Sequence, residues 1–146
     1  MVDLTTLANQ LAEKGKDEQY GFLFEVNPIP GEIEVLQVVV EDKEELPIFL
    51  SVSEDQILCI AYLFRSEELK KGMVDEMNKA MLSANISIPL SSFALLEDQY
   101  VIYGALSVHS SLQDIVHELE VLSSNTIEAI DACLLYTSPS PRDGTK

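Results

Sequence analysis

The sequence predicts an α+β domain: an antiparallel β-sheet with helices packed on one face, in the order α-β-β-β-β-α-β-β-α. Three observations predict it. Strand-like runs follow one another across short turns rather than across helices. The hydrophobic spacing switches to a helical period near residue 66 and again near 110. No Gly-rich βαβ turn interrupts the order, so strands and helices are grouped rather than alternating. With 146 residues, 47% of them hydrophobic, the chain can bury one sizeable core and is not disordered throughout.

Residues 3–14 read as a short amphipathic helix. Asp3 can cap it, Leu4, Leu7, Ala8 and Leu11 share one face, and Gly15 suits its stop. Residues 20–26 are aromatic and β-branched, hence a strand, ending at Asn27-Pro28-Ile29-Pro30-Gly31, which no helix can cross. Residues 33–40 resume the strand pattern, and Glu41-Asp42-Lys43-Glu44-Glu45 makes the next turn. Residues 48–52 and 57–64 flank Ser53-Glu54-Asp55-Gln56, which has hairpin chemistry. The unbroken apolar run over 57–64 predicts a central strand buried on both faces.

Ser66 is the expected cap of the next helix, with Glu67 and Glu68 in its first turn and Leu69, Met73, Met77, Ala80 and Met81 at helical spacing. It should end at 83–85. Residues 86–89 are expected to be extended, and 93–96 with 100–106 form a second hairpin across Glu97-Asp98-Gln99. Ser110 or Ser111 caps a long last helix whose stripe is Leu112, Ile115, Val116, Leu119, Leu122, Ile127 and Ile130, with Asp114 where a capping box wants an acid. It should stop near Ala132, closing a single domain over 1–132. Residues 133–146 follow none of these patterns and resemble translated sequencing-adapter read-through. They are expected to be a non-native, disordered tail.

The charge narrows function. Nine basic residues against 25 acidic ones give −16, and the basic ones do not cluster, which argues against nucleic acid or anionic lipid as a direct partner. The longest apolar run, 57–64, is far below the ~20 residues of a spanning helix, so no membrane insertion is expected. Two cysteines with no secretory leader point to the cytoplasm.

Residues for chemistry are sparse. His109 lies at the cap of the last helix, and His117 falls about 160° from the centre of that helix's apolar stripe. Cys59 sits between Leu58 and Ile60 as a small buried hydrophobe without the positive neighbours a reactive thiolate needs. No Gly-x-Ser-x-Gly elbow, phosphate loop, zinc-ligand spacing or calcium loop occurs. No catalytic residue, cofactor or metal is therefore assigned. Met73, Met77 and Met81 recur at i, i+4, i+8 and read either as core or as an adaptable apolar surface for a protein partner.

Three functions follow. The first is a non-enzymatic binding protein, an adaptor that engages a protein partner through apolar sheet or helix surface. The second is a small enzyme or ligand sensor using His109 and the acidic residues near the second hairpin. The third is a homodimeric structural protein.

Leu46-Pro47-Ile48-Phe49-Leu50-Ser51-Val52-Ser53 followed by Gln56-Ile57-Leu58-Cys59-Ile60 resembles the bacterial YjfI family of unknown function. So do Asn85-Ile86-Ser87-Ile88-Pro89-Leu90-Ser91-Ser92-Phe93 and the stretch from Asp98 to Ser107. The resemblance continues through Ser110-Ser111-Leu112 and Asp114-Ile115-Val116-His117-Glu118-Leu119-Glu120. It implies a cytosolic protein encoded near a homologue of PspA, the coiled-coil protein of the membrane-stress response, and makes a PspA-like protein the expected partner. More distantly, the element order and acidity resemble type III secretion chaperones and YbjN-like proteins, from which the chain departs by an extra strand among the first four. That likeness implies binding of protein segments, often by homodimers.

Overall fold

The computed structural model describes residues 3–13, 23–31, 33–41 and 46–137. Helix α1 (Leu4–Glu13) precedes strands β1 (Phe24–Ile29), β2 (Val35–Val40), β3 (Ile48–Val52) and β4 (Gln56–Arg65). A 3-10 turn (Ser66–Glu68), helix α2 (Val74–Ala84), strands β5 (Ser92–Leu96) and β6 (Gln99–Ser107) and helix α3 (Leu112–Cys133) complete the order. It is the predicted α+β order. The strands form one antiparallel sheet, β1-β2-β3-β4-β6-β5. The first four strands are a meander. The β5–β6 hairpin then returns so that β6 sits beside β4 and β5 takes the edge.

Alternation along each strand separates two faces. On one, Leu36, Val38, Ile48, Leu50, Ile57, Cys59 and Ile102 share a core with Leu7 and Leu11 of α1, Met77 and Met81 of α2, and Ile115, Leu119 and Leu122 of α3. The helices lie on that face. The reverse face corrects one expectation. β4 is central, but it is not buried on both sides: Leu58 and Ile60 are half-buried and Tyr62 is 47% exposed. With the described helices on the core side, the reverse of β4 is shielded, among the described residues, by neighbours such as Phe49, whose ring centroid is 5.4 Å from that of Tyr62. A bulge between Tyr62 and Phe64 then turns both Leu63 and Phe64 inward.

Other differences have local causes. β1 runs through Pro28, which pairs with Leu36, because an edge strand can spare that N–H. Ser66 does not cap a helix. Its N–H and hydroxyl both donate to the Asp98 carbonyl (2.7 and 3.2 Å), and the chain makes only a 3-10 turn closed by Glu68 accepting from the Arg65 N–H at 2.8 Å. Gly72, at φ 83°, reverses the chain before α2 begins behind Met73. Residues 85–91 are turns rather than extended, with Leu90 at φ 64° and Asn125 of α3 donating to the Pro89 carbonyl (2.9 Å) and the Ser91 hydroxyl (3.0 Å).

Ser111 caps α3 by accepting from the Asp114 N–H at 3.1 Å. The helix passes the expected domain end at Ala132: Cys133 is buried, with its thiol 3.9 Å from the Met77 sulfur. Beyond it the Tyr136 carbonyl accepts from the Lys70 N–H at 2.8 Å, and Thr137 bridges Leu69. Residues 133–137 therefore pack on the domain instead of forming part of a tail, because Met77 leaves an apolar surface for Cys133 to cover. Gly15, residues 20–22, the acidic turn at 42–45 and residues 138–146 lie outside the described residues.

Candidate functional site

α2 and the edge strand β5 enclose an apolar groove with a cavity of about 210 Å³. α2 contributes Asn78, Met81 and Leu82, with Asn85 at its C-cap; β5 contributes Phe93, Ala94 and Leu95; Tyr100 of β6 closes the floor. Two of its lining side chains are exposed leucines, Leu82 (71% exposed) and Leu95 (45%), and the same elements and the turns joining them also expose Leu96 (49%), Ile86 (93%) and Leu90. A leucine or isoleucine this exposed forgoes roughly 1.5–3 kcal/mol of burial, and several together mark a surface that associates.

Two polar pairs hold the groove open. The Tyr100 hydroxyl donates to Asn78 Oδ1 at 2.5 Å, and burial pushes its pKa up, keeping it a donor. The Asn85 side chain meets the backbone of Phe93 twice, accepting from its N–H at 2.7 Å and donating to its carbonyl at 3.5 Å.

The methionine stripe is divided by this geometry. Met77 (1% exposed) and Met81 (6%) face the core, and Met81 also walls the groove; Met73 is half-buried at the start of α2. They are core packing first. The groove-forming signal missed in the sequence is on the next face of the same helix, Asn78, Leu82 and Asn85, and in the leucines of β5.

His109 and the acidic hairpin residues are not brought together. His109 follows β6 at the end opposite the β5–β6 turn, about 30 Å along the strand from Glu97 and Asp98. Its N–H is held by the Ser107 hydroxyl at 3.0 Å. Asp98 instead pairs with Arg65 at 2.9 Å. The open, polar pocket beside His109, about 360 Å³, is shared with Asp3, Thr6 and Gln10 of the α1 region, where Thr6 engages Asp3 and lowers its pKa. His117 is half-buried on α3. Cys59 is buried, and desolvation, with the Glu118 charge second, pushes its thiol up to about 12. Among the described residues no three His, Cys, Asp or Glu side chains gather to hold a metal.

A buried acid went unread in the sequence. Glu118, only 4% exposed, lies under α3 with its carboxyl over Gly104 of β6, which pairs with Cys59. Burial raises its pKa. Its position three residues after Ile115, inside the apolar stripe, was the available signal.

The family model for an "Uncharacterized protein conserved in bacteria (DUF2170)" matches residues 1–137. The chain belongs to this family. It is 38% identical over 67 residues to "Uncharacterized protein YjfI" of Escherichia coli strain K12, and equally to that of strain O157:H7. That match covers 43% of this chain and 50% of each relative, so the chain spans about half the length of the curated relatives it matches. The fold is similar to that of YbjN from E. coli: TM-score 0.63 and 16% identity, covering 95% of this chain and 97% of YbjN. It is also similar to a chain of the ExsC–ExsE complex: TM-score 0.55 and 14% identity, covering 95% of this chain and all of that one. The family and the more distant chaperone-like and YbjN-like fold are those the sequence resembled. No described helix is long and apolar enough to cross a membrane.

Proposed function

We propose that this protein is a non-enzymatic, cytoplasmic binding module, an adaptor or chaperone-like protein that holds an apolar segment of a protein partner in the α2–β5 groove. The observation that carries the reading is the groove itself, an apolar cavity of about 210 Å³ walled by the exposed Leu82 and Leu95. The similarity to a chain of the ExsC–ExsE complex supports it, since that fold is found in contact with another protein. The non-enzymatic part is supported by the separation of His109 from Glu97 and Asp98 and by the burial of the Cys59 thiol.

The candidate partner is a PspA-like protein, carried over from the family resemblance. The test is co-expression with that protein followed by sizing with mass detection. Co-elution at a fixed ratio is expected, and Leu82→Glu or Leu95→Glu should abolish it; both side chains are exposed, so the variants keep the fold. Separate elution sinks the PspA-like assignment. A homodimer of this chain alone, dissolved by the same substitutions, would transfer the groove to self-association.

A further inference from the structure

Antiparallel pairing of β5 with β6 fixes which backbone groups of the sheet edge are free. Ser92, Ala94 and Leu96 face Tyr103, Val101 and Gln99 across the ladder, and Leu96 and Gln99 close the two-residue turn. In such a hairpin the closing pair and every second pair exchange hydrogen bonds, so Ser92, Ala94 and Leu96 bond inward while Phe93 and Leu95 turn their N–H and C=O outward. Asn85 occupies both outward groups of Phe93. Its carboxamide does what the next strand would do, and it blunts the edge. Only Leu95 then remains to receive an added strand, whereas strand addition draws its affinity from a run of main-chain hydrogen bonds.

The groove beside this capped edge is still open to side chains. Leu82 of α2 and Leu95 of β5 stand on its two walls. Of the charged residues of α2 and the β5–β6 turn, Asp75, Glu76, Glu97 and Asp98 are acidic and Lys79 is basic, with Asp98 paired to Arg65. Acid exceeds base there, as it does over the whole chain at −16, which disfavours a second copy of this chain and favours a basic partner.

Resting on the proposed docking role, we infer that the groove receives a basic amphipathic helix, apolar at i, i+3, i+4 and i+7 and Lys- or Arg-rich on its flanks, and that Asn85 excludes strand addition. Apolar anchors from a helix reach the cavity without main-chain hydrogen bonds to β5. An extended segment would first have to displace Asn85.

The experiment uses two synthetic peptides of one Leu/Lys/Ala composition, one ordered with the helical period and one strictly alternating. Each is titrated by fluorescence anisotropy against the full chain and its Leu82→Glu, Leu95→Glu and Asn85→Ala variants. The helical-period peptide should bind the full chain and weaken at least tenfold with either glutamate. Added negative charge would strengthen a merely electrostatic attraction, so weakening assigns the binding to apolar contact. The alternating peptide should bind measurably only once Asn85→Ala opens the edge.

If the alternating peptide binds the unaltered chain as tightly, and both glutamates weaken it, the helical mode is wrong and the groove stands. Helical-peptide binding that ignores both glutamates overturns the groove as well. Binding of neither peptide overturns the helical mode and leaves the groove to the co-elution experiment.

Discussion

Gly104→Ala places one methyl group where the fold has none to spare. Gly104 sits on the core side of β6, and a Cβ there would fall inside the Glu118 carboxylate, 2.9 Å from its Cδ and 3.2 Å from the Leu90 carbonyl oxygen. Leu90 is itself held in the left-handed region by the turns above, so its carbonyl cannot retreat freely. Glu118 must move, yet it is 4% exposed under α3, and its Oε2 already has no hydrogen-bond partner. Overpacking of this kind costs about 1–3 kcal/mol. The loss of glycine freedom in the unfolded chain returns about 0.4–1 kcal/mol. The expected net destabilisation is about 1–2 kcal/mol, read as a lower urea midpoint at unchanged slope by circular dichroism. The same substitution in a Glu118→Ala background should be neutral or stabilising, a coupling of about 1 kcal/mol or more. If Gly104→Ala is harmless alone, or if the two changes simply add, Glu118 does not occupy that space and the reasoning fails.

Three other outcomes follow from the buried groups. Because burial raises the Glu118 pKa above 4.5, the folded state binds this proton more tightly than the unfolded one. Its contribution to stability is complete below pH 4.5 and is lost as pH rises through the elevated folded value. Urea midpoints measured from pH 4 to 8 should therefore fall less steeply in Glu118→Gln than in the unaltered protein; parallel curves would place the charge in water. Ending the chain after Ala132 removes Cys133 and the Tyr136 carbonyl and should cost about 1–3 kcal/mol by thermal unfolding, whereas ending it after Thr137 keeps those contacts and should change stability by less than about 0.5 kcal/mol. The two thiols, both buried, should react with Ellman's reagent only at the rate of unfolding; a fast native phase would place one at the surface.

Much of the architecture was legible because local signals carried it. The apolar segments 48–52 and 57–64 and the acidic-polar turns after Val52 and Leu96 set hairpins without long-range information, and Ser111 with Asp114 marked the start of α3. Where the reading failed, a distant group decided. Ser66 has the composition of a helix cap, but the Asp98 carbonyl, thirty-two residues away, takes its N–H and hydroxyl. Cys133 extends the buried face of α3 one turn past Ala129, and its cover is Met77 of α2, fifty-six residues away.

The candidate site divides the same way. Sequence alone determined the α+β order, the family and the net charge of −16, since composition, periodicity and spacing are properties of neighbours along the chain. Only the tertiary structure could show that the methionine stripe turns inward while Leu82 on the adjoining face stays bare. The hydrophobic spacing of α2 is compatible with either face seeking cover, and the choice depends on where β6 and α3 lie. The same holds for the capped edge: Asn85 closes Phe93 only because β5 folds back beside the end of α2, a juxtaposition that no local pattern encodes.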